Sequence, residues 1–414
     1  MPALDQSSTL PDDQKRTLKR RLTLPLLVLY GLGVTIGAGI YVLVGATAAK
    51  AGFYAPVSFL LAAMVVAFTG FSYAELGTRY PVSAGEAAYV KNGLNSNILS
   101  LVVGLMVVAS GVVSSAAVSI GATAYLTHLI SIDPIILTIV IILGLGIIAV
   151  WGILESVAMA AIFTLIEAGG LLFVVYYGIS ENPGVLNDFG RLVPPFESAA
   201  WAGIVSAGLL AFFAFVGFED MANVAEEVKD PGKVMPRAII LTLLIATLIY
   251  LVVVSVVILV VPMETLKESS APLALVFANA DTQTLALFNM IALVATLNGV
   301  LIQMIMASRV LYGLSSQGAL PKKLSEVHPL TRTPVIATSC VVSIILVLAL
   351  LLPIAELAET TSLIVLIVFV FVNLSLIRMK IKNRDRPDGG FQVPLWVPIC
   401  GMVSCALLIV SGFS

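Results

Sequence analysis

The chain has 414 residues, 59% of them apolar and only 11% charged, with a mean hydropathy of +1.06 and a formal charge of −2. A soluble protein of this size lacks the polar surface to cover so much apolar side chain, so the composition is that of a polytopic membrane protein. Near-neutral charge offers no field for nucleic acid, and Cys340, Cys400, Cys405, His128 and His328 have neither disulfide nor metal-ligand spacing.

Residues 1–21 are polar and charged, without the apolar core of a signal peptide, and are expected to form a cytoplasmic tail. Residues 22–414 read as a single membrane domain. Apolar runs of roughly 20 residues place spans near 23–49, 54–78, 96–128, 134–152, 155–178, 199–223, 236–261, 283–313, 334–352, 355–378 and 394–413. The runs are too long for barrel strands and do not alternate, so the fold class is all-α with eleven membrane helices. With the N-terminus inside, every Lys and Arg except Lys50, Arg191 and Lys267 falls in a cytoplasmic segment, a positive-inside pattern. The expected location is the plasma membrane, or inner membrane of a bacterium. Spans one, three and eight are longer than a bilayer requires, implying tilt, a break or extension beyond the lipid.

Two glycine-rich stretches interrupt these spans: Thr35-Ile36-Gly37-Ala38-Gly39-Ile40 in the first and Ala214-Phe215-Val216-Gly217-Phe218-Glu219 in the sixth. Glycine costs a helix interior roughly 1 kcal/mol, and an unpaired backbone group in lipid costs several, so unwinding requires protein, water or a ligand on the freed groups. Amides around Ile36, Gly37, Ala38 and Gly39 would suit a carboxylate, and carbonyls of Phe213, Ala214, Phe215 and Val216 an ammonium. A chamber between two unwound helices would therefore match an α-amino acid. Close helix packing is the other use for such glycines. Interruptions at corresponding places of two halves favour a substrate site.

The chain resembles the amino acid–polyamine–organocation transporter superfamily, and within it bacterial permeases similar to cationic amino acid transporters. The resemblance rests on Gly33 to Tyr41, on Ser72-Tyr73-Ala74-Glu75-Leu76-Gly77 with Tyr80-Pro81, and on Phe212 to Asp220 leading into Ala225-Glu226-Glu227-Val228-Lys229-Asp230-Pro231. It implies a five-plus-five inverted repeat with helices 1 and 6 broken. The repeats would cover about 22–178 and 199–380, with an extra helix at 394–414. It also implies alternating access, and an amino acid held by spans one and six with help from three, eight and ten. Relatives usually have twelve spans against eleven counted, which bears on oligomer contacts. Ser83-Ala84-Gly85-Glu86-Ala87-Ala88-Tyr89 departs from a glycine pair common in relatives.

Glu167 stands in the middle of span five, where charged residues cost roughly 2.5–3.5 kcal/mol to insert. It could carry the coupling proton, as a group neutral in one state and ionised in another. It could help bind sodium, or pair with a buried donor for structure alone. Some relatives that resemble this stretch have lysine there. Other residues leave two readings open. Glu75 is expected to pair with Arg79 at helical spacing. Glu219 and Asp220 would sense a cationic side chain or cap a half-helix; Glu226 and Glu227 form a gate or a solvated face. Phe215 and Phe218 would cover a bound side chain or pack in the core. Asn289, Thr296 and Gln303 share one face of span eight, and Ser115 in span three could touch substrate.

The expected function is secondary active uptake of amino acids coupled to protons, with no enzymatic motif, no metal or other cofactor, and lipid as the surroundings. Exchange of amino acids or polyamines without proton coupling is the nearest alternative, and an amino acid sensor a more distant one.

Overall fold

The computed structural model describes residues 22–37, 39–82, 85–151, 157–382 and 390–412. The predicted tail 1–21 and Ala38 lie outside the described residues. We call the end of the bundle at which the described chain begins proximal, and the other distal. Span one is α1 (Leu24–Ile36) followed by α2 (Gly39–Ala51), and span two is α3 (Ala55–Arg79). α4 (Gly85–Leu94) lies at the proximal end; α5 (Asn97–Thr127), α6 (Pro134–Trp151) and α7 (Val157–Glu181) complete the first half. Span six comprises α8 (Ser198–Ser206), α9 (Gly208–Phe213) and a 3-10 segment, Phe218–Glu227. Then come α10 (Pro231–Val260), the distal α11 (Met263–Glu268), α12 (Thr282–Ser316), α13 (Val335–Leu351), α14 (Ile354–Ile381) and α15 (Trp396–Ser411). Every expected span has its helix. The segment between spans two and three, outside every expected span, contains α4, with Glu86, Tyr89 and Val90 on its buried side.

Local chemistry sets the boundaries. Pro56 and Pro231 stand in the first turns of α3 and α10, where a missing N–H costs nothing. Ser96 caps α5 by accepting from Leu99 N–H at 3.2 Å, and Asp281 caps α12 by accepting from Gln283 and Thr284 N–H at 2.9 and 3.0 Å. At roughly 1.5 Å per residue, the unbroken 31-residue α5 and 35-residue α12 exceed a 30 Å hydrocarbon core, so their excess length is tilt or extension.

Ile98, Val140, Ile147, Leu165, Val347 and Leu407 are exposed on the outside of the bundle, as lipid contact requires. Inside, buried hydroxyls satisfy themselves on their own helices: Thr35 on Gly31 O, Thr47 on Leu43 O and Ser119 on Ser115 O, at 2.7–2.8 Å. The expected pair of Glu75 and Arg79 forms, and it is part of a larger buried group. Lys380 of α14 reaches the other Glu75 oxygen at 2.7 Å, and Val393 N–H donates to it at 2.8 Å. This group ties α3, α14 and the approach to α15 together at the proximal end. Leu22 adds a second proximal tie, exchanging backbone bonds of 2.9 Å with Glu227 O and Lys229 N–H.

Spans one and six run in opposite directions, since the start of span one pairs with the end of span six at Leu22 and Glu227 while Gly203 of α8 lies against Lys50 O at the other end. α5 and α12 pack along each other, and α1 lies against α7 and α10. The broken spans thus enter the bundle from opposite faces, as in the inverted-repeat fold.

Candidate functional site

Both interruptions are real breaks. α1 closes at Gly37, whose N–H donates to Gly33 O at 3.3 Å, and α2 restarts at Gly39. In span six, Ala214, Phe215 and Val216 N–H turn back tightly onto Ala211, Phe212 and Phe213 O at 3.2, 2.9 and 3.1 Å. Gly217 then redirects the chain at φ 118°, a conformation that L side chains rarely adopt. A helix end leaves carbonyls and amides without intrahelical partners. Two of these carbonyls, Thr35 O and Ala214 O, meet the same group: the Tyr250 hydroxyl of α10 lies 2.8 and 2.9 Å from them.

The breaks touch main chain to main chain. A Cβ on Gly39 would come within 2.3 Å of Ala214 Cα, and one on Gly217 within 2.7 Å of Val34 O. The packing and unwinding readings therefore coincide on the same residues. Three expectations need correction. Gly37 does not offer a free amide, because it closes α1; among the described residues the amides that lack an intrahelical partner are those of the first turn of α2. Of the expected carbonyls, that of Phe213 is already used in a tight turn, accepting from Val216 N–H. The expected chamber is closed at the crossing, where backbone meets backbone.

The remaining predicted site residues take distinct places. Ile36, Val216 and Phe215 are buried, the last with its ring 5.1 Å from that of Tyr250. Ser115 faces α12, its Oγ 3.5 Å from Val300 O. Phe218 packs edge-on against Tyr73 and Phe369 at 5.6 and 5.5 Å, within an aromatic cluster and 1% exposed. Glu219 accepts from Gly217 N–H at 2.9 Å, the capping geometry.

Glu167 of α7 is fully buried. Its Oε1 accepts from Asn298 Nδ2 at 2.8 Å, and its Oε2 has no partner among the described residues. Asn298 belongs to the stretch of α12 that touches the first break, since a Cβ on Gly37 would meet Ala295 O at 3.3 Å and Gly299 Cα at 3.6 Å. Tyr41 of α2 donates to the Glu167 main-chain carbonyl at 2.6 Å, and Thr164 to Leu29 O at 2.9 Å. The segment of α7 around Glu167 is therefore joined to both halves of span one, to α2 through Glu167 itself and to α1 through Thr164.

A second acidic group lies proximal to the crossing. Asp220 accepts from Gln303 Nε2 at 3.3 Å, and Glu86 from the Tyr73 hydroxyl at 3.3 Å. With Glu219 and Ser110 they line a cavity of about 10 Å³, room for about one water. Burial raises the Glu86 carboxyl to about 7. Of the polar stripe on α12, Gln303 thus reaches Asp220 and Thr296 bonds its own helix, while the buried Asn289 amide has no partner among the described residues. The sequence reading missed Glu86 and Tyr250. Glu86 carried a signal, an acid in a motif that departs from relatives; Tyr250 sits in an unbroken apolar run and carried none.

Comparison with known proteins gives a consistent result. A family model described as amino acid permease matches residues 22–414. The chain is 30% identical to the branched-chain amino acid permease BcaP of Bacillus subtilis, over 96% of this chain and 89% of that one. It is 30% identical to the vacuolar cationic amino acid transporter 2 of Arabidopsis thaliana, over 88% and 60%. The methylthioribose transporter of Bacillus subtilis is 26% identical, over 96% and 88%. Among solved structures, a variant of the Eremococcus coleocola manganese transporter matches with a TM-score of 0.66, covering 96% of this chain and 88% of that one. At 14% identity that likeness is one of fold alone.

Proposed function

The chain belongs to the amino acid permease family, and we propose that it carries amino acids inward across the plasma membrane by alternating access, with a proton as the coupling ion. The proximal face is the cytoplasmic one, because the Lys- and Arg-rich segments lie there. The substrate carboxylate binds at the first turn of α2, from Gly39 onward, where unpaired amides and the helix dipole favour an anion. Its ammonium binds at carbonyls of the breaks, Thr35 and Ala214. The contact between breaks is the closed form, and access opens when the half-helices part.

The observation that carries the coupling is the Glu167 carboxyl, held by Asn298 on one oxygen and without a partner among the described residues on the other. An unpaired buried carboxylate oxygen is costly, whereas a proton on it removes the charge. Because Asn298 shares its stretch of α12 with the contacts of Gly37, protonation at Glu167 and the position of the first break are mechanically linked. Sodium would need further oxygen ligands around that carboxyl.

The experiment is uptake into proteoliposomes by Glu167→Gln. Accumulation driven by a pH gradient is abolished, while thermal-shift screening of L-leucine, L-arginine and L-alanine gives the same ligand response as wild type. Wild-type-like accumulation by the variant refutes the coupling role. Counterflow without pH-driven accumulation by the wild-type protein would instead identify an exchanger.

A further inference from the structure

Tyr250 occupies the place where the two broken spans require a donor. Had α1 continued, Thr35 O would have received the amide four residues on; had α9 continued, so would Ala214 O. Both bonds are lost to the breaks, and the Tyr250 hydroxyl stands between the two orphaned carbonyls at 2.8 and 2.9 Å. Its ring is clamped by Phe215 at 5.1 Å and Phe59 at 6.3 Å, both near edge-on, so the hydroxyl is aimed by packing. The residue is fully buried.

The donor count is the informative part. A phenol has one proton, and two carbonyls compete for it. Among the described residues Thr35 O and Ala214 O have no other donor across the break. One of them is therefore under-supplied among the described residues at every instant, which is tolerable for a carbonyl but leaves strong acceptors at the crossing. An alkylammonium group has three protons, enough to satisfy both carbonyls at once without the phenol.

We propose that Tyr250 is a positioning residue that stands in for the substrate's amino group, clasping the two broken spans in the empty transporter and surrendering their carbonyls when an amino acid arrives. This rests on the proposed amino acid site and adds a role for span seven. The clasp stabilises the empty closed form, the species through which an unloaded carrier must return. Binding has to displace it, so part of the substrate's binding energy is spent on the exchange.

The sign of one measurement tests this. Tyr250→Phe keeps the ring and its packing and removes the hydroxyl. Because only the empty form loses a bond, the variant should bind amino acid more tightly, by roughly three- to tenfold in Kd, the range for one hydrogen bond. Calorimetric titration of purified wild type and variant with L-leucine, L-arginine and L-alanine reads it. A Kd that is unchanged or weaker in the variant overturns the clasp, since the hydroxyl would then be either inert or a direct contact to substrate. Should wild type bind none of the three, the amino acid site itself fails, and the clasp with it. If Tyr250→Phe does not fold, Phe59→Leu loosens the ring's clamp instead. It should move Kd in the same direction by a smaller factor, and no change or weaker binding counts against the clasp.

Discussion

Alanine at the two touching glycines should harm this protein far more than alanine at glycines elsewhere in the spans. At Gly217 two costs add. Its φ of 118° is strained for an L side chain, at roughly 1–2 kcal/mol. Its Cβ would also sit 2.7 Å from Val34 O and 2.9 Å from Val34 Cγ1, an overlap worth about 1–3 kcal/mol. Gly217→Ala should thus lose roughly 2–5 kcal/mol. Gly39→Ala meets Ala214 Cα at 2.3 Å and N at 2.8 Å, which is backbone that cannot rotate away, and belongs at the upper end of the overlap range. Gly144 and Gly169, in α6 and α7, have nothing within 4 Å of an added Cβ. Alanine there should be neutral or gain about 0.5–1 kcal/mol from helix propensity. The assay is apparent melting temperature in one detergent for all four variants, followed by uptake for those that survive. Melting of Gly39→Ala and Gly217→Ala within the range of the two controls would refute the close crossing.

Glu75→Gln removes the carboxylate shared by Arg79 and Lys380 in a buried setting and should cost about 3–5 kcal/mol. Glu359→Gln, which breaks the more exposed pair with Lys50, should cost under about 1 kcal/mol, so equal losses of melting temperature would contradict the buried group. Glu86, raised from 4.5 to about 7, binds its proton more tightly folded than unfolded. Its contribution is therefore most favourable below pH 4.5 and declines as pH rises through about 7, by at most about 1.4 kcal/mol per pH unit. Glu86→Gln should flatten the melting-temperature profile between pH 5 and 8, and an unchanged slope would remove Glu86 as its source.

Much of the architecture was legible because its signals are local. A run of apolar residues long enough to cross a bilayer declares itself without reference to any partner, and all eleven spans were found that way. The glycine clusters were legible for the same reason, and so was Glu75 with Arg79, four residues apart on one helix. The helix α4 was not, because ten residues of mixed polarity have too little periodic content to announce it. Lys380 joins Glu75 from some three hundred residues away, and no local pattern encodes that meeting.

By itself the sequence determined that the chain is a bundle of membrane helices, two of them interrupted, with an acid buried in the fifth span. These follow from hydropathy and backbone chemistry, which act within a few residues. Only the tertiary structure decided that Gly39 lies on Ala214 and Gly217 on Val34, that Asn298 holds Glu167, and that one phenol serves both breaks. Hydrogen bonds and van der Waals overlap act over a few ångströms in space, so their partners exist only once distant segments have been brought together.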